Sequence, residues 1–167
     1  MQSVSKRQES DELCWFAAKV FYNRTHIVEE KIAPLVAEIY IPRKVISSLV
    51  FIKTSVSQIK RIQKEWYGYM KVYTMISSRE PYPIRAHDMD VFMLVTSLVD
   101  KKMQLMDPSA VNYKEGEKVR VTGGIFKGAE GYIKRIRGDK RLIVCIEGII
   151  AVATSYIPSV YLEKIEN

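Results

Sequence analysis

Two histidines, His26 and His87, are the side chains of this sequence that could carry a proton near neutral pH. Neither stands in a nucleophile motif, and no Ser, His and Asp follow one another in the order of a known hydrolase. His87 is followed by Asp88 and Asp90, but this spacing spreads the three side chains over different faces of a helix. The sequence therefore predicts neither an enzyme nor a metal site.

The cysteines and glycines do not indicate a cofactor either. Cys14 and Cys145 lie inside apolar segments without a neighbouring Cys or His, which predicts buried thiols instead of a metal or redox site. A glycine-rich segment, residues 116–136, lacks the Gly-Lys-Ser or Gly-Lys-Thr of a nucleotide triphosphate loop. We expect no bound cofactor.

The same glycine-rich segment has a clear structural pattern. Apolar and polar residues alternate on both sides of a cluster of glycines, which predicts a strand, a tight turn and a second strand. This pattern resembles the KOW motif, in which Gly124, Gly128 and Gly131 would allow positive φ angles and close backbone packing. The resemblance implies a small SH3-like β-barrel.

The chain carries a formal net charge of +7, which favours phosphate backbones or acidic protein surfaces as partners. Lys134, Arg135 and Arg137 form a basic cluster at the predicted barrel hairpin. These side chains are candidates for contacts with nucleic acid. A basic hairpin tip can also be merely solvated, and the sequence leaves that alternative open.

Composition and breaks in periodicity divide the chain into four segments. A polar N-terminus, 1–12, is expected to be disordered, and 13–100 alternates strands and helices in an α+β pattern with helices on an antiparallel sheet. Apolar periodicity lapses over 101–113, which predicts a linker. The rest, 114–167, has five short strands without a helical period, as expected for a small closed barrel.

No apolar run approaches the roughly 20 residues that a membrane-spanning helix needs. The N-terminus is polar and lacks the apolar core of a signal peptide. The sequence therefore predicts a cytoplasmic protein without a membrane partner.

The order of several short motifs resembles the NusG family of transcription elongation factors, whose members join an N-terminal NGN domain to a KOW barrel. The resemblance covers nearly the whole chain and implies that the protein binds partners and catalyses no reaction. The motifs are an opening Trp15-Phe16, Ile41-Pro42, Leu49-Val50-Phe51-Ile52, and Pro83-Ile84 followed by Met89 and Phe92.

Within that family, the C-terminal run looks most like the UpxY-like paralogues that antiterminate capsule and exopolysaccharide operons. The chain also departs from the housekeeping pattern, since it passes from Pro42 to Leu49 without the long insertion found there. This favours a specialised paralogue. The residues that carry the likeness are Arg141, Ile146, Ala151-Val152-Ala153 and Leu162-Glu163.

The resemblance implies an apolar concavity that holds the clamp helices of RNA polymerase. The matching positions are Phe21, Ile46 and Leu49, with Phe51 buried beneath them. Their apolar character is kept, whereas the aromatic character of the family is partly lost. The alternative is that these residues serve only the core of the domain.

The resemblance also implies contacts with nucleic acid on the first helix. Lys31 matches a position that an operon-specific member of the family uses for non-template DNA, and Arg24 lies two turns before it. Both could meet non-template DNA or nascent RNA, or they could be solvated charges.

Further partners follow from the KOW domain. The family uses this barrel to recruit a small-subunit ribosomal protein or Rho, and we expect a monomer. The competing hypothesis is a ribosome-associated or RNA-binding KOW protein without a role at the polymerase.

Overall fold

A computed structural model describes residues 12–98, 100–109 and 116–166. The predicted disordered segment 1–12, apart from Glu12, lies outside these described residues. Residues 110–113 of the predicted linker lie outside them as well.

The chain divides into two compact units. Of the described residues, the first unit comprises those up to Tyr40 together with Ser48–Pro83. The second comprises Ile41–Ser47 and the described residues from Ile84 onward. Each unit is built on its own antiparallel sheet.

The first unit contains a four-stranded sheet in the order β2-β3-β1-β4, and every pairing in it is antiparallel. Helices follow the first and third strands, which confirms the predicted α+β class. Its elements are β1 (Cys14–Val20), α1 (Thr25–Ile32), a 3-10 turn (Ala33–Leu35), β2 (Glu38–Tyr40), β3 (Leu49–Thr54), α2 (Val56–Glu65) and β4 (Met70–Val72).

Local sequence accounts for these elements. β1 lies between two other strands and is buried on both faces over residues 15–18, so it is almost continuously apolar. α2 begins at Ser55, whose hydroxyl accepts a hydrogen bond from the backbone N–H of Gln58 at 3.2 Å. Ile59 and Ile62 are buried on that helix, which gives it the apolar face that the spacing predicts.

The second unit contains a six-stranded antiparallel sheet in the order β10-β6-β7-β8-β9-β5. Five of these strands belong to the predicted barrel. The elements are α3 (Ala86–Ser97), β5 (Gln104–Met106), β6 (Lys118–Val121), β7 (Glu130–Ile136), β8 (Asp139–Ile146), β9 (Ile150–Tyr156), a 3-10 turn (Ser159–Tyr161) and β10 (Leu162–Lys164).

The sixth strand, β5, falls inside the segment 101–113 that the sequence predicts as a linker. It pairs with the free edge of β9, and just before it a carboxylate oxygen of Asp100 accepts a hydrogen bond from the backbone N–H of Ser155 at 2.8 Å. A strand of three residues is too short to show the alternation of apolar and polar residues by which a strand is recognised in a sequence. The strand exists because of a distant partner that the local pattern cannot reveal.

Helix α3 also differs from the predicted boundaries, which place it in the domain 13–100. In the structure α3 belongs to the second unit and packs against β8. Its buried residues include Met89, Val91 and Phe92. Because consecutive residues are buried, the helix is apolar on more than one side, and its sequence does not indicate which neighbour it covers.

Candidate binding surfaces

His87 and Asp88, two of the side chains that could carry catalytic chemistry, are engaged in ion pairs. His87 Nε2 lies 2.8 Å from one carboxylate oxygen of Glu130, and Arg120 Nε donates to the other at 2.9 Å. Asp88 accepts from Arg85 at 2.8 Å. Among the residues that the structure describes, no group of three His, Cys, Asp or Glu side chains is placed to hold a metal ion.

The structure also bears on the predictions for the cysteines and for membrane-spanning helices. Neither cysteine forms a disulfide, and both are half-buried, whereas the sequence predicts buried thiols. Over the described part of the chain, no helix has the length and apolar character needed to cross a membrane.

Glu130 joins α3 to the barrel sheet within the second unit. Burial of this carboxylate raises its pKa, but the hydrogen bonds and charges of Arg120 and His87 outweigh that effect and leave the pKa below its ordinary value of 4.5. The carboxylate is therefore held in its charged form by its contacts with Arg120 and His87.

This geometry predicts how the free energy of unfolding depends on pH. Because the pKa of Glu130 is lower in the folded than in the unfolded chain, its contribution is present above about pH 4.5 and is lost as the pH falls through the lowered value. We expect the unfolding free energy of Glu130→Gln to fall less steeply between about pH 5 and 3 than that of the wild type. Denaturant titrations at several pH values measure this slope. His87→Gln, which removes one partner, should flatten it by a smaller amount, and identical slopes in all three proteins would contradict the prediction.

The three predicted polymerase contacts have different environments. Leu49, at the start of β3, is 3% exposed, and Phe51 is fully buried. Phe21 follows β1 and is half-buried, with its ring centre 6.3 Å from that of Tyr22. Ile46 is half-buried and belongs to the second unit, so the geometry of the first unit describes only Phe21 and Leu49.

The two predicted nucleic-acid contacts on the first helix also differ. Arg24 immediately precedes α1, and its guanidinium carbon lies 4.9 Å from the ring centre of Tyr69 and 5.8 Å from that of Tyr22. Lys31 is exposed, with its ammonium 3.6 Å from a carboxylate oxygen of Glu30. Such a surface ion pair contributes little. The aromatic rings thus hold the Arg24 side chain in place, whereas the exposed Lys31 side chain can change its conformation.

The basic cluster of the barrel lies on the β7–β8 hairpin. Lys134 pairs in register with Arg141, and Arg135 pairs with Lys140, so like charges lie directly opposite each other. Arg137, at the turn, has a φ of +52°, a conformation that side-chain-bearing residues rarely adopt. Lys134, Arg135 and Arg137 are all exposed. The hairpin therefore concentrates positive charge at a cost to the fold.

The predicted KOW glycines occupy two kinds of position. Gly124 and Gly128 have φ angles of +76° and +91°, in the left-handed region that favours glycine. Gly131 lies on β7, where a Cβ atom would meet the backbone carbonyl oxygen of Ile143 on β8. The first two allow the turn to form, and the third allows close approach of neighbouring strands.

Sequence reasoning missed several exposed side chains. In the barrel, Ile125 is 62% exposed and Val160 is 81% exposed. In the first unit, Tyr22 and Tyr67 project into solvent as well. An apolar residue in a sequence is ordinarily assigned to a core, so only the tertiary structure identifies these residues as surface.

Comparisons with known proteins agree with this architecture at the level of fold. No family model matches the sequence, and no curated protein matches it. Among solved structures, the chain is similar to one described as "Domain interaction in Thermotoga maritima NusG", with a TM-score of 0.52 and 19% identity. The match covers 93% of this chain and 98% of the other. Across nearly its whole length, this protein therefore has the fold of a NusG protein.

Proposed function

We propose that this protein is a transcription elongation and antitermination factor of the NusG type. The observation that carries the proposal is the shared fold, which extends over both units and thus over the full NusG architecture. The protein would act by binding and would catalyse no reaction.

In this proposal the first unit binds the clamp helices of RNA polymerase. By bridging the clamp and the opposite wall of the DNA channel, it would bind the closed polymerase more tightly than the open one. A ligand with such a differential affinity shifts the population towards the state that it prefers. The factor would therefore suppress pausing or termination.

Contacts with nucleic acid would recruit the factor to selected operons. Two observations on the first unit support this role: the guanidinium of Arg24 contacts two tyrosine rings, and Lys31 is exposed. The similarity of the C-terminal run to UpxY-like paralogues favours operons for polysaccharide biosynthesis. Non-template DNA or nascent RNA would provide the recruitment signal.

The barrel would recruit a second partner, such as a small-subunit ribosomal protein or Rho. The exposed apolar side chains Ile125 and Val160 support this role, because they lie on neighbouring segments: the backbone N–H of Thr122 donates to the carbonyl oxygen of Tyr161 at 2.8 Å. The ring of Tyr161 packs over Gly123 beside them, so a larger residue at position 123 would displace it.

A second candidate function is an RNA-binding or ribosome-associated KOW protein without a role at the polymerase. The basic β7–β8 hairpin favours this alternative, since Lys134, Arg135 and Arg137 are exposed and would hold phosphates. The two hypotheses differ in the unit that makes the principal contact. A polymerase factor should bind clamp helices through the first unit, and a ribosomal module should bind rRNA through the barrel.

Clamp binding gives the decisive test. We expect Phe21→Ala to weaken binding of the full chain to a purified clamp-helix fragment by about tenfold or more, because truncating an aromatic hot spot costs about 2 kcal/mol or more and a factor of ten corresponds to about 1.4 kcal/mol. Isothermal titration calorimetry measures this affinity. Phe21 suits the test because it is only half-buried, so the fold should tolerate the change.

The matched control is Ile76→Ala in the same unit, since Ile76 is fully exposed and supports no packing. It should bind the clamp fragment as the wild type does. Equal affinity of the wild type and a folded Phe21→Ala variant would refute the assignment of Phe21. Failure of the wild type to bind the fragment, combined with tight binding of rRNA, would favour the second function.

A further inference from the structure

The edge of β9 that faces β5 has a sequence that favours pairing with another strand. β9 (Ile150–Tyr156) has the sequence IAVATSY, with no charged residue and no proline. Proteins keep a sheet edge from pairing with another chain by means of charges, prolines, very short strands or a covering segment. Uncharged segments of this length with β-branched residues and no proline pair readily with copies of themselves. β9 therefore depends on the segment that covers it.

That cover is Asp100–Met106, here called the strap, which comprises β5 and the turn before it. Three residues of the strap, 104–106, pair antiparallel with residues 151–153 of β9. A carboxylate oxygen of Asp100 accepts the hydrogen bond from the backbone N–H of Ser155, and the other accepts from the backbone N–H of Lys102 at 3.0 Å. The strap thus covers the β9 edge from Ala151 to Ser155.

The strap forms a new outer edge, and this edge is protected. Its strand is three residues long. Lys101 and Lys102 precede that strand and are exposed, and Asp107 and Pro108 follow it directly. Short length, charge and proline are the features that keep a sheet edge from pairing. The strap therefore replaces an unprotected edge by a protected one.

Few apolar contacts hold the strap in place. Met106 is half-buried and packs against the buried side chains of Ile143, Ala151 and Ala153. Leu105, between Gln104 and Met106, is 51% exposed. Segments with few buried apolar contacts open at a low free energy, before the rest of a domain unfolds.

A buried charge next to the strap favours its opening. Arg141, on β8, is 8% exposed, and one of its terminal nitrogens donates to the carbonyl oxygen of Lys102 at 3.4 Å. Its Nε is buried and has no hydrogen-bond partner among the described residues. A buried charge with incomplete hydrogen bonding costs free energy. Opening of the strap would remove the Lys102 carbonyl and return the guanidinium to water, which recovers part of that cost.

We propose that the strap is a detachable guard of the β9 edge. In its closed position it prevents β9 from pairing with β9 of a second copy of this chain, and it opens while the rest of the barrel stays folded. The second copy is the partner because two identical edges can pair antiparallel about a twofold axis. The guard needs no polymerase and no nucleic acid, so its role goes beyond the proposed function and does not depend on it.

Hydrogen exchange of the full chain, measured amide by amide, tests whether the strap opens alone. In the wild type, exchange of the Ser155 amide should not change with low concentrations of denaturant, because opening of the strap exposes little surface. Exchange of the β7 and β8 amides should accelerate with denaturant, because it requires unfolding of the barrel. Equal protection and equal denaturant dependence of Ser155 and β8 would make the strap an integral strand and overturn the proposal.

Asp100→Ala combined with Met106→Ser removes the acceptor for Ser155 and the apolar anchor. We expect the Ser155 amide to exchange about tenfold faster or more, while the β7 and β8 amides keep their protection. The matched control is Asp139→Ala combined with Leu105→Ser, since Asp139 and Leu105 are both exposed. It removes the same kinds of side chain from the same unit and should leave exchange of Ser155 unchanged.

Sedimentation velocity over a wide range of protein concentration tests the guard. The wild type and the control should remain monomeric, whereas the Asp100→Ala, Met106→Ser variant should form a dimer as its concentration rises. Protection of residues 151–155 in that variant should rise with concentration as well, because self-pairing replaces the strap. A variant with fast exchange at Ser155 that stays monomeric throughout would show that the β9 edge needs no guard.

Arg141→Leu tests the role of the buried charge independently, and its expected effect has the opposite sign. Leucine removes the poorly paired guanidinium and keeps an apolar side chain under the strap, so exchange of the Ser155 amide should slow by about tenfold. The variant should stay monomeric. Faster exchange at Ser155 in the folded variant would mean that Arg141 anchors the strap, and it would overturn the claim that its charge favours opening.

Discussion

Aspartate in place of Leu49 should destabilise the first unit by about 3 kcal/mol or more, because an unpaired carboxylate would replace an apolar side chain that is 3% exposed. Aspartate is too short to extend its carboxylate along the strand towards solvent. The change would abolish the proposed clamp binding through loss of the fold, whether or not Leu49 itself touches a partner. This explains why Phe21 is the better position at which to test docking.

Both tryptophans of the chain, Trp15 and Trp66, lie in the first unit, so their fluorescence during urea denaturation reports the unfolding of that unit. The control is Leu49→Met, which conserves volume and apolar character and should cost less than about 1.5 kcal/mol. A Leu49→Asp protein with a wild-type denaturation midpoint would show that this position tolerates charge. Leu49 would then again be a candidate for contact with a binding partner.

Alanine in place of Gly131 should destabilise the barrel sheet by about 3 kcal/mol, which is the upper part of the range for overpacking. The added Cβ atom would meet the backbone carbonyl oxygen of Ile143. The two strands cannot separate to make room for it without losing the β7–β8 hydrogen bonds. Hydrogen exchange of the amides of β7 and β8 measures the effect. We expect their protection to fall by about two orders of magnitude, since 1.4 kcal/mol corresponds to a factor of ten.

The matched control for this change is Gly138→Asn. Gly138 has a φ of +87°, a Cβ atom added there would meet no other part of the chain within 4 Å, and asparagine tolerates the left-handed region. This variant should therefore keep most of its protection. Equal loss of protection in the two variants would mean that turn conformation, and not the close approach of β8, explains the requirement for glycine.

Local patterns in the sequence predict the type of most elements. A run of β-branched and aromatic residues predicts β3, alternating apolar residues predict β6, and the helical spacing of Ile59 and Ile62 predicts α2. The clustered glycines predict the turn between β6 and β7. Each of these signals lies within about ten neighbouring residues, over which local preferences and periodicity act. The α+β class and the small C-terminal barrel followed from such signals and are confirmed by the fold.

The candidate surfaces were only partly predictable. Arg24 could be singled out by its basic character and its position before a helix, but its contact with Tyr69 depends on the pairing of β1 with β4. The exposure of Tyr22 and Tyr67 was not predictable, because tyrosine is found both in cores and on surfaces. No spacing rule distinguishes the two environments.

Tertiary structure alone decided where α3 packs, that β5 joins the edge of β9, and that Leu49 is buried whereas Tyr67 is exposed. Each of these outcomes depends on residues far away in the chain. Strand formation at a sheet edge requires the hydrogen-bonding groups of a partner strand, and burial requires a covering surface. A local pattern records the preferences of a segment, but the free energy of burying it depends on the neighbours that the complete fold supplies.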